Sequence, residues 1–185
     1  RMALAEAEVD PLDVDYVETH GTGTALGDPI EVGSLKQVYG ENRKAEYPIV
    51  LGAVKSNVGH LEAAAGMVGL IKTILVLLHR VAPPNLHLNK LNPHLDLDGF
   101  SVVFPKEITP LGTWKGQDGR IIAGLSSFGF GGTNAHVILE EPSRTVNDNI
   151  NQRQGVLSHL AMAPFVKYSR VAYPWRSVTS GTGSG

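Results

Sequence analysis

Two histidines stand at the ends of turns built from small and polar residues. One opens His20-Gly21-Thr22-Gly23-Thr24; the other closes Lys55-Ser56-Asn57-Val58-Gly59-His60. A neutral imidazole N–H can donate a hydrogen bond to an oxygen that gains negative charge during a reaction. Placement at a helix start favours that neutral form, because the unpaired N–H groups there carry partial positive charge. Lys55 adds a cation beside the second histidine. On spacing alone a polar turn with a capping histidine explains the 55–60 segment as well as catalysis does. The second histidine turn tips the balance toward chemistry.

The elements that must hold these turns follow from the flanking residues. Residues 49–54 are apolar and β-branched, and 61–78 form a long apolar run, so the Lys55/His60 turn sits in a strand–turn–helix unit. The 49–54 strand carries little polar content and reads as buried on both faces. The helix after His60 is apolar nearly all round, with Ala63, Ala64, Ala65, Gly66 and Gly69 allowing close approach, so it belongs in the middle of a layered fold. A short strand over 14–17 leads into the His20 turn. Asp28-Pro29-Ile30-Glu31 then reads as a helix start, with Asp28 as N-cap, Pro29 at the first helical position and Glu31 closing a capping-box-like arrangement. That helix runs to about Tyr39. Helix is expected over 1–8 and strands over 100–104, 120–126 and 135–139. The stretch 81–98 is irregular, 105–119 is a surface excursion, and Phe128 to Asn134 is a glycine-rich loop.

Composition narrows the function classes. A chain of 185 residues with 42% hydrophobic and 18% charged residues fits a soluble globular protein and not a disordered one. A net charge of −2, with no basic run, gives no reason to invoke nucleic acid. There is no cysteine, hence no thiolate metal site and no cysteine nucleophile in this chain. The seven histidines lack paired-ligand spacing, so no metal site is expected. The apolar run 63–78 is shorter than a membrane span needs and contains Lys72, so no membrane span is expected.

Three motifs occur in order: Val17-Glu-Thr-His20-Gly-Thr-Gly-Thr24 with Gly27-Asp-Pro29; Lys55-Ser-Asn-Val-Gly-His60-Leu-Glu-Ala-Ala-Ala-Gly66; and Gly129-Phe-Gly-Gly-Thr-Asn134-Ala-His136. Between them stand Pro83-Pro84-Asn85-Leu86-His87 and Asn92-Pro93. Together they resemble the β-ketoacyl synthases, in particular the ketosynthase domains of modular polyketide synthases and type I fatty acid synthases. The resemblance covers residues 1–142. It implies the thiolase-like fold, layered α-β-α-β-α, with only its C-terminal part present here. It also implies decarboxylative Claisen condensation of an acyl thioester with a malonyl-type extender on acyl carrier protein. His20 and His60 match the two catalytic histidines and Lys55 the active-site lysine, whose implied role is to orient His60 and the carboxylate. Thr22 and Thr24 match the threonines that bind phosphopantetheine amides. Phe130, flanked by Gly129, Gly131 and Gly132, matches the gating phenylalanine, and Gly131 is taken with it as a substrate-side residue. Each has a plainer reading as well: a solvated lysine, turn-forming threonines, an aromatic in a glycine loop. His79, His87, His94, His136 and His159 have no catalytic match.

The family's nucleophilic cysteine lies upstream of the His20 motif and is outside this chain. The expected partners are therefore a cysteine-bearing N-terminal part of the ketosynthase and acyl carrier protein, within a cytoplasmic homodimeric synthase. No cofactor is expected on this chain; substrates arrive on the carrier's phosphopantetheine. Alone, the chain is expected to be inactive. Two alternatives stand beside this reading: a non-catalytic ketosynthase-derived structural subunit, and a decarboxylating loading ketosynthase. The expected organisation is 1–142 as ketosynthase, 143–178 as a following linker, in which 172–176 resembles a strip that packs back on ketosynthases, and 179–185 as a flexible Gly/Ser tail.

Overall fold

The computed structural model describes residues 1–115 and 119–142. The expected linker, its 172–176 strip, His159 and the tail lie outside the described residues. In chain order the elements are α1 (Met2–Ala7), β1 (Tyr16–Glu18), α2 (Gly27–Tyr39), β2 (Ile49–Gly52), the single turn α3 (Lys55–Val58) and α4 (Ala65–His79). The strands β3 (Val81–Ala82), β4 (Val102–Val103), β5 (Thr109–Pro110), β6 (Ile122–Phe128) and β7 (Asn134–Glu140) follow.

Five strands form a mixed sheet in the order β4-β2-β1-β6-β7, and β3 pairs with β5 in a separate ribbon. β1 runs parallel to β2 and β6, and β2 to β4; only β7 is antiparallel, returning along β6 as a hairpin. The register sets Glu18 opposite Gly52 and Leu125. The chain therefore leaves β1, β2 and β6 at one edge of the sheet, the edge where open parallel sheets gather their ligands.

Side chains alternate across the strands and fill two cores. Val17, Ile49, Leu51 and Ile138 pack with Leu4 of α1 and Val32, Leu35 and Tyr39 of α2. Tyr16, Val50, Ala123, Leu125 and Leu139 pack with Val76 and Leu77 of α4. The result is an α-β-α sandwich with α1 and α2 on one face and α4 on the other.

α4 has two apolar faces. Ala65, Gly69, Thr73, Val76 and Leu77 are buried against the sheet together with Lys72. A Cβ on Gly69 would lie 2.9 Å from Leu125, so the missing side chain lets the helix settle onto β6. Met67, Ile71, Leu75 and Leu78 line the opposite face and are 44–59% exposed. By length and apolarity the 62–79 stretch could cross a membrane. Its inner face packs on a sheet and carries an ion-paired lysine, which marks the core helix expected from the sequence.

Several boundaries differ from expectation. The long helix starts at Ala65 and not at residue 61. Gly59 takes φ 76 and ψ −174, and Glu62 takes φ 49, so a 3-10 turn over Glu62–Ala64 separates His60 from α4. The strand expected at 100–104 is two residues long, and β3 and β5 were not expected.

Candidate functional site

His20 follows β1 directly and His60 follows α3, and the sheet edge brings their rings to a centroid separation of 5.6 Å with planes 83° apart. The Nδ1 of His20 accepts the backbone N–H of Phe128 at 3.3 Å and faces the Lys55 ammonium at 3.4 Å. The Nδ1 of His60 accepts the backbone N–H of Glu62 at 3.0 Å. With Nδ1 occupied as an acceptor, each ring carries its proton on Nε2, so both can serve as neutral donors. Burial, then the charge of Lys55, then His60 push the His20 pKa down to about 4, which keeps it neutral at physiological pH. His60 does not stand at the start of the long helix, because α4 begins five residues later. Its proton is placed by the local amide instead.

Lys55 donates to the carbonyl oxygen of His20 at 2.5 Å as well as facing its ring. The hydrogen-bond partner of Lys55 among the described residues is thus His20. Burial pushes the Lys55 pKa down, and the carboxylates of Glu18 and Glu31 oppose the shift.

Three buried side chains hold this constellation. Glu31 accepts the backbone N–H groups of His20 at 2.7 Å and Gly21 at 2.9 Å. Asn85 accepts from Ala53 N–H at 2.8 Å and donates to the Leu51 carbonyl at 3.0 Å, bracketing the end of β2. Glu18 accepts the Val54 N–H at 2.5 Å and the Tyr16 hydroxyl, and pairs with Lys72 at 3.0 Å. Burial and the Glu18 carboxylate drive the Tyr16 pKa well upward, so the phenol remains a donor. Gly21 has φ 49, and a Cβ there would come within 2.6 Å of Thr19 and 2.9 Å of Ala53. Only glycine fits this tight passage between β1 and β2.

The same bonds overturn the capping box. α2 starts at Gly27, and Thr24 Oγ1 accepts the Gly27 N–H at 3.1 Å. Asp28 accepts from Gly23 N–H at 3.0 Å, and Glu31 is taken up by the His20 loop. Both carboxylates bind the loop that precedes the helix and leave the Gly27 and Asp28 N–H groups to Thr24.

Residues 1–89 match the family model "Beta-ketoacyl synthase, C-terminal domain", and residues 92–164 match "Ketoacyl-synthetase C-terminal extension". The chain belongs to the β-ketoacyl synthases. Polyketide synthase GfsA of Streptomyces halstedii is 50% identical over 141 residues, 76% of this chain and 2% of that protein. Erythronolide synthase EryA2 of Saccharopolyspora erythraea is 49% identical over 141 residues, 76% of this chain and 4% of that protein. The oxazolomycin ketosynthase domain OzmH KS7 of Streptomyces albus superposes with a TM-score of 0.68 at 42% identity, over 77% of this chain and 24% of its own. Ketosynthase twelve of the bacillaene synthase of Bacillus amyloliquefaciens gives 0.69 at 39%, over 76% and 24%. The fold is thus the thiolase-like one, and the chain is the C-terminal part of a ketosynthase, spanning about a quarter of those solved domains.

Within this ketosynthase part the remaining expected residues spread outward from the histidines. The Thr22 and Thr24 hydroxyls are 3.1 Å apart on the loop before α2. Thr22, Lys55, Asn85, His87 and Asn92 line a cavity of about 630 Å³ between that loop and the 84–95 segment. Phe130 stands at the tip of the β6–β7 hairpin with its ring fully exposed, and Gly131 beside it has open space at its Cβ position. His136 lies away from this edge, half-buried between the Tyr39 hydroxyl at 2.9 Å and Ser126 Oγ at 3.0 Å. Among the described residues no cluster of His, Cys, Asp and Glu could hold a metal. Sequence reasoning passed over Glu18 and Asn85 as site-building residues and took Glu31 for a cap. A charged residue two positions before His20, at the end of an otherwise apolar strand, was the available signal.

Proposed function

We propose that this chain supplies the two oxyanion donors of a condensing ketosynthase in polyketide chain elongation. The observation that carries the reading is the adjacency of the His20 and His60 rings, 5.6 Å apart, each with its Nδ1 accepting a backbone N–H so that Nε2 is left as the donor. A malonyl-type thioester loses carbon dioxide when its carboxylate C–C bond breaks, and the electron pair remains as an enolate with charge on the thioester oxygen. Two N–H donors at that oxygen stabilise the charge as it forms, each by ~3 kcal/mol. The enolate carbon then attacks the acyl carbonyl of a cysteine thioester, a C–C bond forms, and the cysteine thiolate leaves.

The chain itself contains no cysteine. The nucleophile is therefore assigned to an N-terminal part of the ketosynthase, and the outer face of α4 is suited to packing against that part. Lys55 holds His20 in place, Thr22 and Thr24 receive the phosphopantetheine amides of acyl carrier protein, and Phe130 gates the acyl entrance together with Gly131. The parent is a cytoplasmic, homodimeric synthase, and the chain alone is inactive.

The test is a condensation assay on the full-length synthase that carries this chain, reading carbon dioxide and β-ketoacyl-carrier product separately. Replacing His20 or His60 by Ala lowers kcat by about 10²–10³-fold. Carbon dioxide without condensed product from the parent protein would identify a decarboxylating loading domain. Neither product, with the carrier protein still bound, would identify an interaction subunit.

A further inference from the structure

We propose that the buried Glu18–Lys72 pair is a positioning device for the contact between Lys55 and His20. This rests on the condensing reading above and extends it to two residues remote from the substrate.

Glu18 is fully buried and sits two residues before His20 on β1. One carboxylate oxygen accepts the Val54 N–H at 2.5 Å, the residue that opens the turn bearing Lys55. The other takes the Tyr16 hydroxyl and faces Lys72 at 3.0 Å. A single side chain thus joins the strand that ends in His20, the turn that carries Lys55 and the helix beneath both. Lys72 in turn depends on Glu18. It is 8% exposed, and its ammonium has no hydrogen-bond acceptor among the described residues. Its whole compensation for leaving water is the Glu18 charge. A buried ion pair of this sort is weak evidence for stability, since apolar residues of similar volume often serve as well. Its place between the two catalytic segments gives it a different use.

The electrostatics run the same way. The charged groups facing Lys55 are Glu18 and His20 from β1 and its loop, Glu31 and beyond it Asp28 from α2, and His60 through His20; Lys72 reaches the cluster from α4. Burial pulls the Lys55 pKa down, and Glu18 is first among the groups that pull it back up. Removing the Glu18 charge therefore lowers the Lys55 pKa. The ammonium is then lost at lower pH, and its bond to the His20 carbonyl is lost with it.

The experiment uses the full-length synthase carrying Glu18→Gln, Lys72→Met, Lys72→Arg and the Glu18→Gln/Lys72→Met double change. Three quantities are read: condensation kcat and KM against pH, thermal midpoint, and the pH dependence of Lys55 acylation by acetic anhydride, followed by peptide mass spectrometry. Glu18→Gln is expected to lower kcat by about 10- to 100-fold with KM for the carrier-bound substrate unchanged. The alkaline limb and the Lys55 labelling curve should both move to lower pH by about one unit. Lys72→Arg should retain most of the activity that Lys72→Met loses. The double change removes both buried charges and should recover the thermal midpoint without recovering kcat. If it recovers kcat as well, or if the Lys55 labelling curve of a folded Glu18→Gln variant matches the parent's, the pair is structural only and the proposal is overturned. Labelling does not require turnover, so it decides the point even if the parent protein condenses nothing, an outcome that would count against the condensing reading instead.

Discussion

The neutrality of His20 is the quantity on which the chemistry turns, and Lys55→Met tests it. The Lys55 ammonium lies 3.4 Å from the His20 Nδ1. At an effective dielectric of about 20, a unit charge at that distance acts on an imidazolium with about 5 kcal/mol. His20 is half-buried, and water screening cuts this to about a quarter, ~1.2 kcal/mol, or roughly one pH unit. Burial is the larger cause of the low His20 pKa, and the substitution leaves it in place. In the parent protein His20 should titrate at about 4, with about 0.1% protonated at pH 7. In Lys55→Met it should titrate about one unit higher. The assay is NMR of the ketosynthase labelled at histidine 13Cε1, with the His20 resonance assigned by its loss in His20→Gln. A parent midpoint near the ordinary histidine value, or a Lys55→Met midpoint that does not rise, would falsify the account of how His20 is kept neutral.

Three further outcomes follow from the geometry. His136 is pushed down to about 4, by burial first. A depressed histidine contributes stability that is fully present above its unfolded value near 6.5 and is lost as pH falls toward 4. About 3 kcal/mol should therefore disappear over that window, seen as a thermal midpoint that drops with pH in the ketosynthase and drops less in His136→Phe. Phe130 is fully exposed, so Phe130→Ala should shift stability by less than ~0.5 kcal/mol while changing kcat/KM for acyl transfer about tenfold; equal effects on both would remove the gate from its proposed role. Gly59 holds a backbone conformation essentially reserved for glycine, so Gly59→Ala should cost about 1–3 kcal/mol in denaturant melts and displace His60, lowering condensation; an unchanged melt would contradict the strain argument.

The sequence made local features readable and left distant ones hidden. The His20 and Lys55/His60 turns were visible because glycine and small polar residues punctuate the chain where strands end. The start of α4 was misplaced because Leu61, Ala63 and Ala64 continue the apolar pattern without a break. The interruption comes from the positive φ at Gly59 and Glu62, which composition does not display. Asp28 and Glu31 have the spacing of a helix cap, yet their carboxylates bind Gly23, His20 and Gly21 of the preceding loop. The Glu18–Lys72 pair spans more than fifty residues and joins a strand to a helix that both read as apolar. Nothing local in either segment names its partner.

The parallel arrangement of β1, β2 and β6 also sets when the site can exist. His20 receives its Nδ1 donor from Phe128, 108 residues later, and Lys55 reaches back 35 residues to His20. Such contacts form late, since distant segments must meet before any bond rewards the lost chain entropy. On the ribosome, His20 and His60 emerge before Phe128, and the His20 imidazole acquires its fixed tautomer only after β6 has been made and has docked beside β1. Catalytic order thus appears near the end of folding, and a chain halted before Phe128 carries both histidines without the geometry that makes them donors.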